Sequence, residues 1–155
     1  MAKFKSSLEK MLSANIRQTK TLASFVEKRA LLSLEKDKDK VIEMEKERLF
    51  SGKTFTGKNI EPAYTGYTVF LKEQKGQPTD RVTLKDKGNF YNSIELETSK
   101  TIVQLNATDE KTTDLELKYK DILGISDKTF KFTVKNIIDR VNPVLFKKLL
   151  QTRFL

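Results

Sequence analysis

The sequence predicts an α+β protein with N-terminal helices, a small antiparallel sheet formed by a β-hairpin, and C-terminal helices. Three observations predict this class. Apolar residues recur at three- and four-residue steps near both ends of the chain, as they do on one face of an α-helix. A central segment is rich in β-branched and aromatic residues, and a glycine-rich stretch precedes it. Helices that flank a short sheet, instead of alternating with its strands, are typical of α+β proteins.

Residues 1–50 form the predicted helical N-terminal region or arm. They contain no Gly or Pro, and their spacing indicates one apolar stripe. The pattern loosens at the alternating charges of residues 36–40, which are expected to be exposed, and resumes at Val41. Either one long helix passes a solvated segment or two helices join there. The stripe comprises Phe4, Leu8, Met11, Leu12, Ile16, Leu22, Phe25 and Val26.

Residues 51–88 form a predicted loop-rich connection. They hold five of the six Gly and two of the three Pro. Long loops are often functional or are ordered by a partner. Within this connection, residues 67–71 form a short run that is typical of a β-strand.

Residues 89–155 are predicted to hold the hairpin and the C-terminal helices, and the whole chain is expected to be a single domain. The spacing predicts strands at residues 91–97 and 101–106, joined by a three-residue loop at 98–100. Their buried faces would place Ile94 and Leu96 against Ile102 and Leu105.

Three helix starts are predicted after the hairpin. Thr113 would cap a helix that runs to Leu123, where Gly124 would stop it. Ser126 is a second candidate cap. Asn142–Pro143 would supply the cap and first-turn proline of a last helix.

The composition excludes several classes of chemistry. The chain has 155 residues, with 30 Lys and Arg, 21 Asp and Glu, and no His, Cys or Trp. Triads that need His or Cys, the usual zinc sites and thiol redox chemistry therefore have no residues to use. Residues 51–54 resemble the end of a phosphate-binding loop, but that motif requires Gly where Glu47 stands. We expect no enzyme activity, no cofactor and no metal site.

The charged residues are expected to form solvent-exposed surfaces instead of catalytic or metal sites. Glu43 and Glu47 share a helix face among cations, and this segment is expected to be solvated. From residue 140 to the end of the sequence there are four basic side chains and no acidic side chain. This basic surface would lie near nucleic acid or an acidic protein patch, or would serve as a solubilising helix face. Its members are Arg140, Lys147, Lys148 and Arg153.

The most distinctive segment is a turn motif at residues 82–94. Leu84 would anchor an apolar contact, Asp86 and Gly88 would form the turn, and Phe90 would return the chain to the core. With Ser93, these residues match the pattern Leu-x-Asp-x-Gly-x-Phe-x-x-Ser. The pattern resembles that of small tail-completion, neck and head-to-tail joining proteins of tailed bacteriophages. Residues 117–125 also resemble a Lys-Tyr-Gly-x-x-Ile-x-Gly-Leu pattern found in Bacteroidetes phages, including crAss-like phages, with Lys120 in place of the first Gly.

The resemblance implies a virion structural protein that acts in assembly and performs no chemistry. It implies a homo-oligomeric ring in the neck or tail, which meets the portal and other neck or tail proteins while DNA passes through its lumen. The virion would be assembled in the host cytoplasm. Phe55, Tyr64 and Tyr67 would then lie in loops that reach a neighbouring subunit, although local packing explains Tyr64 equally well. The basic surplus would suit non-specific contact with packaged DNA.

Two alternatives remain open from the sequence. A basic DNA-binding accessory protein would use the helix of residues 142–155 to contact phosphates. An adaptor would use residues 4–32 as a coiled coil, although the apolar heptad is interrupted at Asn15, Thr19 and Arg29. No stretch approaches the roughly 20 apolar residues of a membrane span, so no membrane association is expected.

Overall fold

The computed structural model describes residues 2–99 and 102–152 and confirms the α+β layout. A long N-terminal helix comes first, a two-stranded antiparallel sheet follows in the middle of the chain, and helices close it. In chain order, the elements are α1 (Ala2–Phe50), α2 (Gly66–Gln74), α3 (Asn89–Asn92), β1 (Ile94–Thr98), β2 (Val103–Ala107), α4 (Thr112–Lys118) and α5 (Asp127–Thr152).

Helix α1 is a single continuous helix of 49 residues. It continues through the alternating charges of residues 36–40, so the prediction of one long helix is correct, but Asp37 in this segment is buried instead of exposed. Its burial changes along its length. Among the side chains that the structure describes before Ser33, none is buried, whereas Val41, Glu45 and Leu49 follow at four-residue steps and are fully buried. The C-terminal half of α1 therefore supplies the core positions.

The prediction of a β-strand at residues 67–71 is wrong, because these residues lie in α2. The hydroxyl of Thr65 accepts a hydrogen bond from the backbone N–H of Thr68 at 3.3 Å and caps the helix. The following Leu-Lys-Glu-Gln stretch consists of good helix formers, which outweigh the β-preference of Val69.

The hairpin is confirmed, with corrections at its ends. Its register pairs Leu96 with Leu105 and Thr98 with Val103, so residues 99–102 connect the strands instead of a three-residue loop. Lys100 of the predicted loop lies outside the described residues. The first strand begins at Ile94 because the preceding residues form α3. Ile94, Leu96 and Leu105 are buried as expected, but Ile102 precedes β2 and is 58% exposed.

Helix α4 differs from the prediction at both ends. Thr113 does not cap it: the helix begins at Thr112, after a turn in which Asp109 accepts a hydrogen bond from the N–H of Lys111 at 3.0 Å. The helix ends at Lys118, well before Leu123, because Tyr119 and Ile122 leave the helical path and enter the core.

Helix α5, in contrast, is longer than predicted. Ser126 caps its start as expected, with its hydroxyl accepting from the N–H of Thr129 at 3.4 Å. Asn142–Pro143 does not begin a new helix, because Pro143 lies inside α5. Proline removes one backbone hydrogen bond, yet the apolar spacing continues from Val141 before it to Leu145 after it, and Val141 is buried.

The chain divides into two compact units. The helical unit comprises Met1–Glu35 with Asn136–Leu155, and the mixed unit comprises Lys36–Lys135. In the helical unit, Ser33, Leu34 and Val141 are buried. The core of the mixed unit is larger and contains Val41, Leu49, Ile60, Val82, Phe90, Tyr91, Ile94, Leu96, Leu105, Tyr119 and Ile122.

Candidate functional site

The turn motif forms a sharp turn followed by a single helical turn. Leu84 has φ of +53° and Gly88 has φ of +97°, so the chain reverses between them and a side chain at Gly88 would be strained. Phe90 is buried, as predicted, and Ser93 Oγ donates to the carbonyl of Phe90 at 2.9 Å. Asp86 is exposed and forms an ion pair with Lys75, which holds the pKa of its carboxyl below the usual value. The motif therefore fixes backbone geometry.

Two tyrosines hold the segment that precedes the turn. The Tyr64 hydroxyl accepts hydrogen bonds from the backbone N–H groups of Thr83 at 2.9 Å and Leu84 at 3.1 Å. The Tyr91 hydroxyl donates to the carbonyl of Thr83 at 2.5 Å. Burial raises the pKa of Tyr91 above its ordinary value, and the nearby Tyr64 adds to this effect. Both hydroxyls therefore serve a structural role.

A buried lysine ties α2 to the same turn. Lys72 Nζ donates to the carbonyl of Lys85 at 2.7 Å and to Gln77 Oε1 at 2.9 Å. The ammonium group also lies 4.9 Å from the centroid of the Tyr64 ring, a cation–π contact. Because a buried ammonium requires such partners, Lys72 restrains the turn instead of offering a free amine.

A cavity of about 360 Å³ opens beside the turn motif. Leu84, Phe90, Leu115 and Tyr119 contribute apolar lining to it. The charged lining carries both signs and comprises Lys72, Lys85, Asp86, Lys87, Asp109, Glu110 and Lys111. Within residues 2–99 and 102–152, no three His, Cys, Asp or Glu side chains gather as metal ligands would. The cavity therefore presents both apolar groups and charged groups of either sign.

A second polar cluster was not predicted from the sequence. Glu45 and Arg48 were expected in a solvated segment, but both are buried and form an ion pair. Arg48 also donates to the carbonyls of Lys53 at 2.6 Å and Ile122 at 2.8 Å, and Glu45 Oε1 accepts from Ser126 N at 2.9 Å. Their three-residue spacing on a helix was visible in the sequence, but the partners that allow their burial lie far along the chain.

The electrostatics of Glu45 agree with a structural role. Burial alone raises the pKa of its carboxyl. Hydrogen bonding by Thr129, Arg48 and Ser126, together with the charge of Arg48, outweighs burial and leaves the pKa below its ordinary value. Glu45 therefore remains ionised and is held as an anchor.

The three predicted loop residues occupy different environments. Phe55 lies against Gly124: a Cβ at that glycine would come within 2.5 Å of the Phe55 ring. Tyr64 is engaged by the turn, as described above. Tyr67 is 73% exposed and shares an apolar face of α2 with Phe70 and Leu71, which are 55% and 39% exposed. This α2 face is the part of the predicted interface that the structure leaves open.

The predicted basic surface is divided among different contacts. Arg140 Nη1 donates to the carbonyl and hydroxyl oxygens of Ser33, both at 3.0 Å. The ammonium of Lys148 lies 4.1 Å from the centroid of the Phe25 ring. Lys147 is exposed, and Arg153 lies outside the described residues. Arg140 and Lys148 thus contribute to packing within the helical unit as well as to its charge.

Among the described residues, no helix combines the length and apolar character that crossing a membrane requires. Comparison with protein-family models, curated proteins and solved structures finds no match to this chain.

Proposed function

We propose that the chain is a non-enzymatic virion structural protein that forms a homo-oligomeric ring in the neck or tail of a tailed bacteriophage. It would join the portal to other neck or tail proteins and let DNA pass through the ring. The resemblance of the turn motif to neck and tail-completion proteins suggests this role. In the proteins that it resembles, a helical region precedes the turn, a β-hairpin follows it and C-terminal helices close the fold, and this chain has the same order of elements.

The observation that carries the proposal is the exposed α2 face beside the restrained turn. Phe70 and Leu71 lie about one helical turn after Tyr67 on the exposed side of α2, while Lys72 is buried on its inner side. This reverses the usual distribution of apolar and charged side chains on a surface helix. Aromatic residues are enriched at protein interfaces, so the face suits contact with a neighbouring subunit. The turn holds α2 through Lys72 and thereby fixes the orientation of that face.

Native mass measured by light scattering tests the proposal, with electron microscopy of the same sample to distinguish a closed ring from an open filament. A closed oligomer of fixed subunit number, present at low and physiological salt and without DNA, is the expected result. Changing both Tyr67 and Phe70 to Ser should dissociate it. The matched control is Leu117→Ser on α4, which removes another exposed apolar side chain and should leave the oligomer intact. A wild-type monomer under all of these conditions would overturn the proposal.

A basic DNA-binding accessory protein is the second candidate. It is favoured by the concentration of positive charge in the helical unit, which has 11 Lys and Arg against 4 Asp and Glu. A monomer whose mass shifts only with a DNA duplex, and loses that shift as salt rises, would favour this candidate over the ring.

A further inference from the structure

The positive charge of the chain is unevenly distributed between the two units. The helical unit has 11 basic and 4 acidic side chains, whereas the mixed unit has 19 and 17. The helical unit therefore carries +7 of the formal net charge of +9. Such a concentration attracts polyanions over distances longer than individual contacts.

Part of this charge forms a line along α1. Lys10, Arg17 and Lys28 are exposed and are separated by steps of 7 and 11 residues. At about 100° per residue, both steps return to within about 20° of the same direction, so the three cations share one helix face. With a rise of about 1.5 Å per residue, the line extends over about 27 Å.

A groove beside Arg17 contains groups that bind phosphate oxygens. Its volume is about 290 Å³, and it is lined by Ala14, Arg17, Gln18, Thr21, Leu22 and Lys148, with no carboxylate and with more apolar than polar surface. Guanidinium, ammonium, amide and hydroxyl groups are the usual donors to phosphates. Lys148, which lines the groove, also contacts Phe25: its ammonium is 4.1 Å from the ring centroid, and the guanidinium carbon of Arg29 is 5.6 Å from the same centroid.

We propose that Lys10, Arg17 and Lys28, with the groove beside Arg17, form the surface that contacts the phosphate backbone of double-stranded DNA without reading its sequence. This inference rests on the proposed function, in which DNA passes through the ring, and identifies the surface that meets it. The surface lies mainly on α1, and of the C-terminal cations that the sequence suggested it includes Lys148, which lines the groove.

The neighbouring residues favour DNA over an acidic protein as the partner. Ala14, Thr21 and Ser24 lie close to the cationic line on the helical projection, and all are small. A protein interface of ordinary affinity requires an apolar core with large anchoring side chains. Phosphate contacts need only cations and hydrogen-bond donors, which this face provides.

Fluorescence anisotropy with a labelled DNA duplex of arbitrary sequence tests the proposal across a series of salt concentrations. The test variant carries Lys10→Gln, Arg17→Gln and Lys28→Gln. The matched control carries Lys58→Gln, Lys120→Gln and Lys128→Gln, which removes the same charge from exposed positions of the mixed unit. Gln is a good helix former, so α1 should keep its helicity, which circular dichroism can verify.

We expect the affinity for DNA to depend less strongly on salt in the test variant than in the wild type, and we expect no such change in the control. Each lost phosphate contact should reduce the slope of log affinity against log salt by about 0.9. For three contacts, the loss of affinity between about 50 and about 200 mM salt should be smaller by about 40-fold than in the wild type. The control should keep the wild-type slope.

Two results would overturn the inference: equal changes in both variants, or no affinity of the wild type for DNA at low salt. The native mass of each variant separates this inference from the proposed function. If the protein forms a closed ring and its affinity for DNA does not change in the test variant, the inference is contradicted and the proposed function is not. A monomer that loses DNA affinity through the line would support the inference and contradict the ring.

Discussion

The mixed unit and the helical unit use their charged side chains in opposite ways. In the mixed unit the two signs nearly balance, and two cations are buried against backbone carbonyls: Arg48 donates to the carbonyls of Lys53 and Ile122, and Lys72 donates to that of Lys85. In the helical unit the cations outnumber the acids, and Lys10, Arg17 and Lys28 are exposed. Buried charged side chains therefore stabilise the fold of the mixed unit, whereas exposed cations give the surface of the helical unit its positive charge.

This difference predicts where a single substitution will do most harm. A buried ion that loses its partner keeps its desolvation cost, whereas an exposed ion is stabilised by water. The mixed unit should therefore be sensitive to the loss of individual polar groups, and the helical unit should tolerate such losses on its surface.

Arg48→Ala should have the largest effect. It leaves the Glu45 carboxylate buried without its ion pair and leaves the carbonyls of Lys53 and Ile122 without their donor. Removing one member of a buried pair typically lowers the free energy of unfolding by about 3–5 kcal/mol. Urea denaturation followed by circular dichroism measures this change. The matched control is Lys40→Ala, which removes a cation from the exposed pair with Glu43 and should leave the free energy of unfolding nearly unchanged.

The same cluster predicts a dependence on pH. The folded pKa of Glu45 lies below its ordinary value of 4.5. Ionised Glu45 therefore contributes its full stabilisation above pH 4.5, and this contribution is lost as the pH falls through the folded pKa. The difference in unfolding free energy between the wild type and Glu45→Gln should be constant near neutral pH and should narrow in acid. A difference that widened in acid would show that the pKa is raised instead.

The packing of Phe55 can be tested through the glycine beside it. Gly124→Ala would place a Cβ within 2.5 Å of the Phe55 ring, at a residue whose φ is +155°. Overlap and backbone strain together should lower the free energy of unfolding by about 3 kcal/mol. Gly66→Ala is the control, because a Cβ there meets nothing within 4 Å and Gly66 begins α2. It should be neutral or stabilising by up to about 1 kcal/mol.

The sequence predicted the class of most elements, but several of their ends are wrong for identifiable reasons. Periodicity located α1 and the β-hairpin. It did not locate the start of α4, where the Asp109 turn replaces a Thr113 cap, or show that α5 continues through Pro143. These ends depend on local turn chemistry and on burial, which periodicity does not report.

The candidate site was predicted only in part. The motif reasoning identified Gly88 as a turn residue and Phe90 as a core residue, and both are confirmed. It did not identify Glu45 and Arg48, because their burial depends on partners such as Ile122 and Ser126 that lie more than 70 residues away in the sequence. A sequence pattern shows which residues share one helix. It does not show which distant backbone groups will form the hydrogen bonds that offset the burial of a charge.

Tyr64→Phe tests whether the turn depends on a side-chain hydroxyl. The variant keeps the ring but removes the acceptor for the N–H groups of Thr83 and Leu84. Leaving these donors unsatisfied should lower the free energy of unfolding by about 2 kcal/mol. Tyr67→Phe removes the same atom from a residue that is 73% exposed, and it should be nearly neutral. Equal effects of the two variants would mean that the Tyr64 hydroxyl does not hold the turn.

Ser33→Ala probes the helical unit and should have the smallest effect. The substitution removes the hydroxyl that accepts from Arg140 Nη1, but the same nitrogen keeps its hydrogen bond to the Ser33 carbonyl. Since alanine also favours the helix, the net loss in the free energy of unfolding should be about 1 kcal/mol or less. Urea denaturation measures this loss and allows it to be compared with the loss caused by Arg48→Ala. A loss as large as that of Arg48→Ala would mean that polar contacts constrain both units equally, and that the contrast between them is one of net charge alone.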